Sequence, residues 1–235
     1  MKRLDQIVSR TESCLPFEND NKHKQNSRIS KVRGDNWLSF QFFAHTYFPH
    51  VVELPFSSVH RYMFNIVDTS GGVVAVTGFR GLGKSAIFAF IYPVWKIIKG
   101  ERYVIYGASN IEQSTEKAEF IAHEFTNNKR LLNDFPELKI KDSYDNIYFL
   151  QNNTKISAVS IKQSIRGTVN SRCASRPGLI ILDDIDEEIN IGNISIVPLL
   201  RQASPATSSH SEEEKSGGVH FKWNCYKDHL LFYIT

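Results

Sequence analysis

An α/β fold with a mostly parallel central sheet, layered between helices in a three-layer arrangement, is predicted by three features of the 235-residue sequence. Val73-Val74-Ala75-Val76-Thr77 is a β-branched run followed by a glycine-rich turn and an apolar helical stretch, the order strand, loop, helix. Tyr103 to Ala108 is a second apolar run, again followed by a helical pattern. Leu179-Ile180-Ile181-Leu182 is a solid apolar run of the type found in the middle of a parallel sheet, and it ends in Asp183-Asp184. Strands that alternate with helices build parallel sheets covered by helix layers.

The elements follow in order along the chain. Residues 1–34 hold eight basic and four acidic residues, a net +4 against −1 for the rest of the chain, and predict a solvated basic arm with some capacity to seek phosphate. From Asp35 the composition changes: Asp35 is placed to cap a helix whose Trp37, Phe40, Ala44 and Tyr47 form one stripe before Pro49 ends it. A second helix starts at Ser57 or Ser58, with Val59, Met63, Ile66 and Val67 at helical spacing. The helix after the glycine-rich turn includes Ile87, Phe90, Ile91, Val94 and Trp95. Asn110 caps a helix that runs through Ala118, Ile121 and Phe125 to the Asn127-Asn128 break. Two alternating runs, Ile147 to Leu150 and Lys155 to Val159, flank Asn152-Asn153 and predict a hairpin. Five serines, two glycines and Glu212-Glu213-Glu214 within residues 202–218 predict a linker, and His229 to Ile234 an edge strand. The division is therefore a basic arm over 1–34, an α/β domain over 35–200, and a linker with a short atypical tail over 201–235.

Composition narrows the class. With 41% hydrophobic and 23% charged residues there is ample material for a packed core, which excludes a collagen-like repeat and a wholly disordered chain. Cys14, Cys173 and Cys225 are odd in number, far apart and without a C-x-x-C spacing, so neither a disulfide framework nor a zinc ribbon is proposed. The longest apolar stretch, Ala86 to Ile98, contains Pro93 and Lys96 and falls short of the roughly twenty residues of a membrane span. Met1-Lys2-Arg3 continues into Asp5 with no apolar segment, so no secretory signal is expected and the cytoplasm is the expected location.

The chemistry-bearing motif is Gly78-Phe79-Arg80-Gly81-Leu82-Gly83-Lys84-Ser85, a complete G-x-x-x-x-G-K-[ST] sequence between a strand and a helix. On the order of one chain in a hundred of this length matches four such fixed positions by chance, and the strand-to-helix context makes accident rarer. Glycines let backbone N–H groups turn inward around phosphate oxygens, and the following helix, from Ala86, presents its positive end to them. Lys84 brings a point charge to the β and γ phosphates of ATP, and the Ser85 hydroxyl is a hard oxygen ligand suited to Mg²⁺. Asp183 and Asp184 emerge at the carboxyl edge of the sheet, where ligands bind in open α/β folds. They match a Walker B element: Asp183 holds Mg²⁺ through water, and Asp184 orients or deprotonates the attacking water. Asp186, Glu187 and Glu188 follow closely and compete for that second role. Arg80 within the loop and Arg166 in Ser164-Ile165-Arg166-Gly167 are candidates for stabilising transition-state charge. His45, His50 and His60 cluster in sequence without a Glu or Cys at ligand spacing, so packing or nucleotide-pocket roles are favoured over a metal. Phe40, Phe42, Phe43, Tyr47 and Phe48 read as core rather than a base-stacking platform.

Taken together, Phe43-Ala44-His45-Thr46-Tyr47-Phe48-Pro49-His50, the 80–85 loop, Ser164-Ile165-Arg166-Gly167 and Arg176-Pro177-Gly178-Leu179-Ile180-Ile181-Leu182-Asp183-Asp184 resemble the ATPase half of a tailed-phage terminase large subunit, over roughly residues 36–200. The resemblance implies a P-loop NTPase of the additional-strand, catalytic-carboxylate (ASCE) class that pumps viral double-stranded DNA into a capsid. It further implies a homo-oligomeric ring docked on the portal protein, with a small terminase subunit as partner. In such a motor 78–86 hold ATP, Ser85 and Asp183 serve Mg²⁺, Asp184 stands where a Glu is usual, and Arg80 or Arg166 stabilises charge. Full-length relatives continue into a ribonuclease-H-like nuclease. After Glu188 this chain has only Glu212, Glu213, Glu214 and Asp228 as acidic residues, which predicts no nuclease activity and a truncated version of the family architecture. A helicase-like DNA translocase and a non-catalytic nucleotide-binding remnant share the same motifs.

Overall fold

The computed structural model describes residues 10–11, 14–69, 73–76, 79, 81–160, 168–183 and 230–234. The described elements begin with three helices, α1 (Lys22–Val32), α2 (Trp37–Tyr47) and α3 (Ser58–Thr69), before the first strand, β1 (Val73–Val76). A π-helical segment, Ser85–Ile91, runs straight into α4 (Tyr92–Ile98), followed by β2 (Tyr103–Ala108), α5 (Ile111–Asn127) and α6 (Lys129–Asp134). The strands β3 (Ile140–Tyr144), β4 (Ile147–Leu150), β5 (Lys155–Ser160), β6 (Leu179–Asp183) and β7 (Leu230–Ile234) complete the set.

These strands form one seven-stranded sheet in the order β1-β7-β6-β2-β5-β4-β3. Five neighbours, from β1 to β5, are parallel; β4 and β3 add an antiparallel extension. Every residue of β2 and of β6 is buried, so the middle of the sheet is covered on both faces, as the unbroken apolar run at 179–182 predicts. The register places Val76 and Asp183 opposite the same residue, Ile234 of β7. The carboxyl ends of β1 and β6 therefore lie level on one edge of the sheet, two strand spacings apart. Among the described residues no helix is long and apolar enough to cross a membrane.

Local signals account for most boundaries. Asn110 caps α5 by accepting the Gln113 N–H at 2.8 Å, and the predicted hairpin is β4 with β5. The cap of α2 is Asn36 rather than Asp35: Asn36 is extended (φ −145°) immediately before Trp37 and accepts the Ser39 N–H at 3.0 Å, while Asp35 pairs with Lys99. The stripe on α3 differs from the expected one, with Phe64 and Val67 buried while Val59 and Ile66 stay exposed. The strand β3 was not legible, because its sequence Ile-Lys-Asp-Ser-Tyr is polar in the middle and it pairs on one side with β4 alone. The expected edge strand at 229–234 is instead interior: β7 pairs in parallel with both β1 and β6. The predicted linker at 202–218 lies outside the described residues.

The expected solvated arm carries α1, which packs on the domain. Val32 is fully buried and its carbonyl accepts the Trp95 indole N–H at 2.9 Å. Arg28 forms a fork with Asp134, at 2.7 and 2.8 Å, and a second with Asp20, tying α1 to α6. The Tyr47 hydroxyl donates to the same Asp134 at 2.6 Å, and burial together with that carboxylate raises its pKa well above the usual phenol range.

Aromatic packing joins the helical layer to the rest. Phe40 stacks on Phe64 at 4.9 Å and meets Trp95 at 5.5 Å edge-on, so one side chain links α2, α3 and α4. Phe40, Phe43, Tyr47 and Phe48 are fully buried, and Phe42 packs against the core at its edge, in line with the core reading of this stretch. Phe40→Ala is expected to destabilise the protein by about 3–5 kcal/mol, measured by denaturant unfolding.

A buried polar network holds the chain at residue 14. The His50 ring lies between the Cys14 sulfur (3.0 Å from Nδ1) and Glu124 (2.7 Å from Nε2). Burial opposes a charge on the ring, but hydrogen bonds to Cys14 and Glu124 and the carboxylate charge outweigh it, and its pKa is pushed up to about 9. A folded-state value above the unfolded one, near 6.5, gives stability that is fully present below pH 6.5 and lost as pH rises through 9. Unfolding stability is expected to fall by on the order of 3 kcal/mol across that window. A His50→Gln variant, measured by denaturant melts at both ends, should lack this slope.

Candidate nucleotide-binding site

Gly81 and Gly83 have φ of +93° and +77°, a region that L side chains rarely adopt. A Cβ at Gly81 would meet nothing within 4 Å, so the demand for glycine there is conformational rather than steric. The turn closes through Leu82 N–H to the Phe79 carbonyl at 3.4 Å, and the helix opens with Ile87 N–H to the Gly83 carbonyl at 2.9 Å. Lys84 is 9% exposed, and its ammonium donates back to the Phe79 carbonyl at 3.3 Å. Gly83 and Ser85 are exposed, and Leu82 and Ala86 are half-buried.

The Ser85 hydroxyl donates to the Asp183 Oδ1 at 3.2 Å, although 98 residues separate them. The level register of β1 and β6 makes this contact possible. Asp183 is 3% exposed and is also gripped from α5: Lys117 Nζ lies 2.8 Å from Oδ2 and donates to the Asp183 backbone carbonyl at 3.1 Å. The neighbouring Tyr106 phenol is raised well above its ordinary range by burial and then by the Asp183 charge. A hydroxyl beside a buried carboxylate is a set of hard oxygen donors, and the donor chemistry fits Mg²⁺. A buried ammonium within a glycine loop opening a helix fits phosphate.

Two further residues reach this site: Lys117, to which the sequence assigned no role, and His60, for which packing or a nucleotide-pocket role is the expectation. Lys117 had no signal: it is one lysine on an amphipathic helix. His60 did have one. Ser57 immediately precedes α3, and His60 stands three residues later, the spacing of a capping box with histidine in the Glu/Gln position. The His60 Nδ1 accepts the Ser57 N–H at 2.9 Å, which leaves the proton on Nε2, and Nε2 donates to the Leu82 carbonyl at 2.9 Å. The first turn of α3 thus holds the glycine loop by its backbone.

The three histidines go to separate places: His60 to the loop, His50 to Glu124, and His45 against the Phe56 ring at 5.0 Å. Among the described residues no group of three or more His, Cys, Asp or Glu could hold a metal. Gly78, Arg80, Arg166 and Asp184, with Asp186, Glu187 and Glu188, lie outside the described residues. No protein-family model matches this chain, and no curated protein matches it either.

Proposed function

We propose that the chain is a P-loop ATPase of the additional-strand class and acts as the ATPase motor subunit of a phage terminase, coupling ATP hydrolysis to packaging of double-stranded DNA. The observation that carries this reading is the 3.2 Å contact between Ser85, at the end of the glycine loop, and Asp183, at the end of β6. One parallel strand, β7, between β1 and β6 supports the additional-strand class.

In the mechanism that follows, residues 78–86 wrap the triphosphate with backbone N–H groups, and Lys84 turns from the Phe79 carbonyl to the β and γ phosphates. Ser85 and Asp183 would hold Mg²⁺, which supplies charge neutralisation for the phosphoryl oxygens. Lys117 releases Asp183 for that role and remains beside it as a second cation. Asp184, next in the chain, is assigned the attacking water, with Asp186 and Glu187 as its competitors. Arg80 or Arg166 stabilises the charge that develops on the transferred phosphoryl group. Portal protein, the small terminase subunit and further copies of the chain in a ring are the partners this reading requires.

The test is phosphate release by the purified chain with MgATP, with and without double-stranded DNA. DNA-stimulated turnover that Lys84→Ala abolishes is the expected result. Nucleotide binding without turnover would overturn the hydrolase reading in favour of a remnant, and stimulation by forked DNA but not by portal would favour a helicase-like translocase.

A further inference from the structure

Away from the glycine loop, a thiol, an imidazole and a carboxylate stand in line. Cys14 Sγ lies 3.0 Å from His50 Nδ1, and His50 Nε2 lies 2.7 Å from Glu124 Oε1. The acid is fixed in turn: the Thr11 hydroxyl donates to Oε1 at 2.8 Å and Asn128 Nδ2 to Oε2 at 2.7 Å. Phe48 stacks on the imidazole at 5.8 Å, so the ring has a fixed plane. Cys14, His50 and Glu124 are 3%, 8% and 1% exposed. This is an arrangement by which a protein activates a thiol: a charged imidazole hydrogen-bonded to a sulfur favours its anion, and a third group orients the ring.

Cys14 lines an open cleft of about 260 Å³ together with Arg10, Pro49, His50, Glu53 and Arg130. Its rim faces solvent, because the Arg10–Glu53 pair there is half exposed or more. Arg130 braces the thiol's own segment, donating to the Leu15 carbonyl at 3.0 Å. Guanidinium groups lining the same cleft favour an electrophile whose leaving group departs as an anion.

We propose that Cys14 is a peroxide-reactive thiol, a modification site in which the Cys14–His50–Glu124 relay and the arginine-lined cavity take a small hydroperoxide. The sulfur, hydrogen-bonded to the His50 ring, attacks the nearer peroxide oxygen. A sulfur–oxygen bond forms as the oxygen–oxygen bond breaks. The leaving hydroxide takes up the thiol proton and departs as water. Cysteine is oxidised by two electrons to sulfenic acid, and the peroxide is reduced by two.

Cys173 is exposed and serves as an internal comparator. The full chain is treated with hydrogen peroxide and dimedone at neutral pH, and labelling of each cysteine is followed by peptide mass spectrometry, with Cys14→Ser confirming the assignment. Cys14 is expected to label at least about tenfold faster than Cys173 despite its burial, because an imidazole contacts its sulfur whereas the Cys173 sulfur meets the Ser175 hydroxyl and the Asn153 carbonyl. His50→Gln should slow Cys14 labelling at least about tenfold and leave Cys173 unchanged. Faster labelling of Cys173, or labelling of Cys14 only in denaturant, would overturn the proposal. An unchanged Cys14 rate in a folded His50→Gln or Glu124→Gln variant would do the same. If neither variant folds, the Cys14-to-Cys173 ratio in the native chain decides.

Discussion

Lys84→Ala is expected to lower kcat for ATP hydrolysis by at least about a hundredfold, the scale of losing a preorganised charged donor from a phosphoryl-transfer site. The ammonium is a buried point charge at the end of a flexible stem, held by the Phe79 carbonyl within the loop it serves. Moving it onto a phosphate exchanges a neutral acceptor for an anionic one, and the gain is largest when charge builds on the transferred group. Lys84→Arg should fail almost as badly, because a planar fork does not occupy the space of a compact ammonium. Steady-state phosphate release with MgATP measures both variants, with a thermal melt showing that each is folded. Turnover equal to that of the unaltered chain would remove the basis of the ATPase reading.

Asp183→Asn should be nearly as damaging, with a different signature. Ser85 stays in place while the site loses its buried anion, so the Mg²⁺ concentration for half-maximal turnover should rise at least about tenfold and kcat should fall by about a hundredfold. Nucleotide affinity in EDTA should change little, which separates this variant from Lys84→Ala. A metal-free consequence follows from the Lys117 pair at 2.8 Å. Asn at 183 takes the carboxylate charge away from that ammonium, and since Lys117 is 24% exposed the cost is expected to be only about 1 kcal/mol. Adding Lys117→Met should recover much of it in a double-mutant cycle. Magnesium dependence of phosphate release, and denaturant melts in EDTA, read the two effects separately.

The fold and the candidate site were legible to different depths. Strand, glycine loop and helix could be read at 73–98 because each signal is local: β-branched residues, then glycines that adopt φ of +93° and +77°, then an apolar helical face. The cap at Asn110, the hairpin around Asn152-Asn153 and the buried run at 179–182 were readable for the same reason. A polar edge strand such as β3 escapes this kind of reading, since its stability comes from a neighbour rather than from its own pattern.

By itself, then, the sequence determined the α/β class, the mostly parallel sheet, the core helices and, each as a separate motif, the glycine loop and the acidic strand end, all encoded within windows of a few residues. Tertiary structure alone decided that β7 enters the sheet between β1 and β6 and that α1 folds onto the domain. It also decided that Lys117 reaches Asp183, that His60 holds the Leu82 carbonyl and that Cys14, His50 and Glu124 align. These contacts join residues 22 to 74 or more positions apart, and whether two such groups meet depends on strand order and helix packing, which no short stretch of chain specifies.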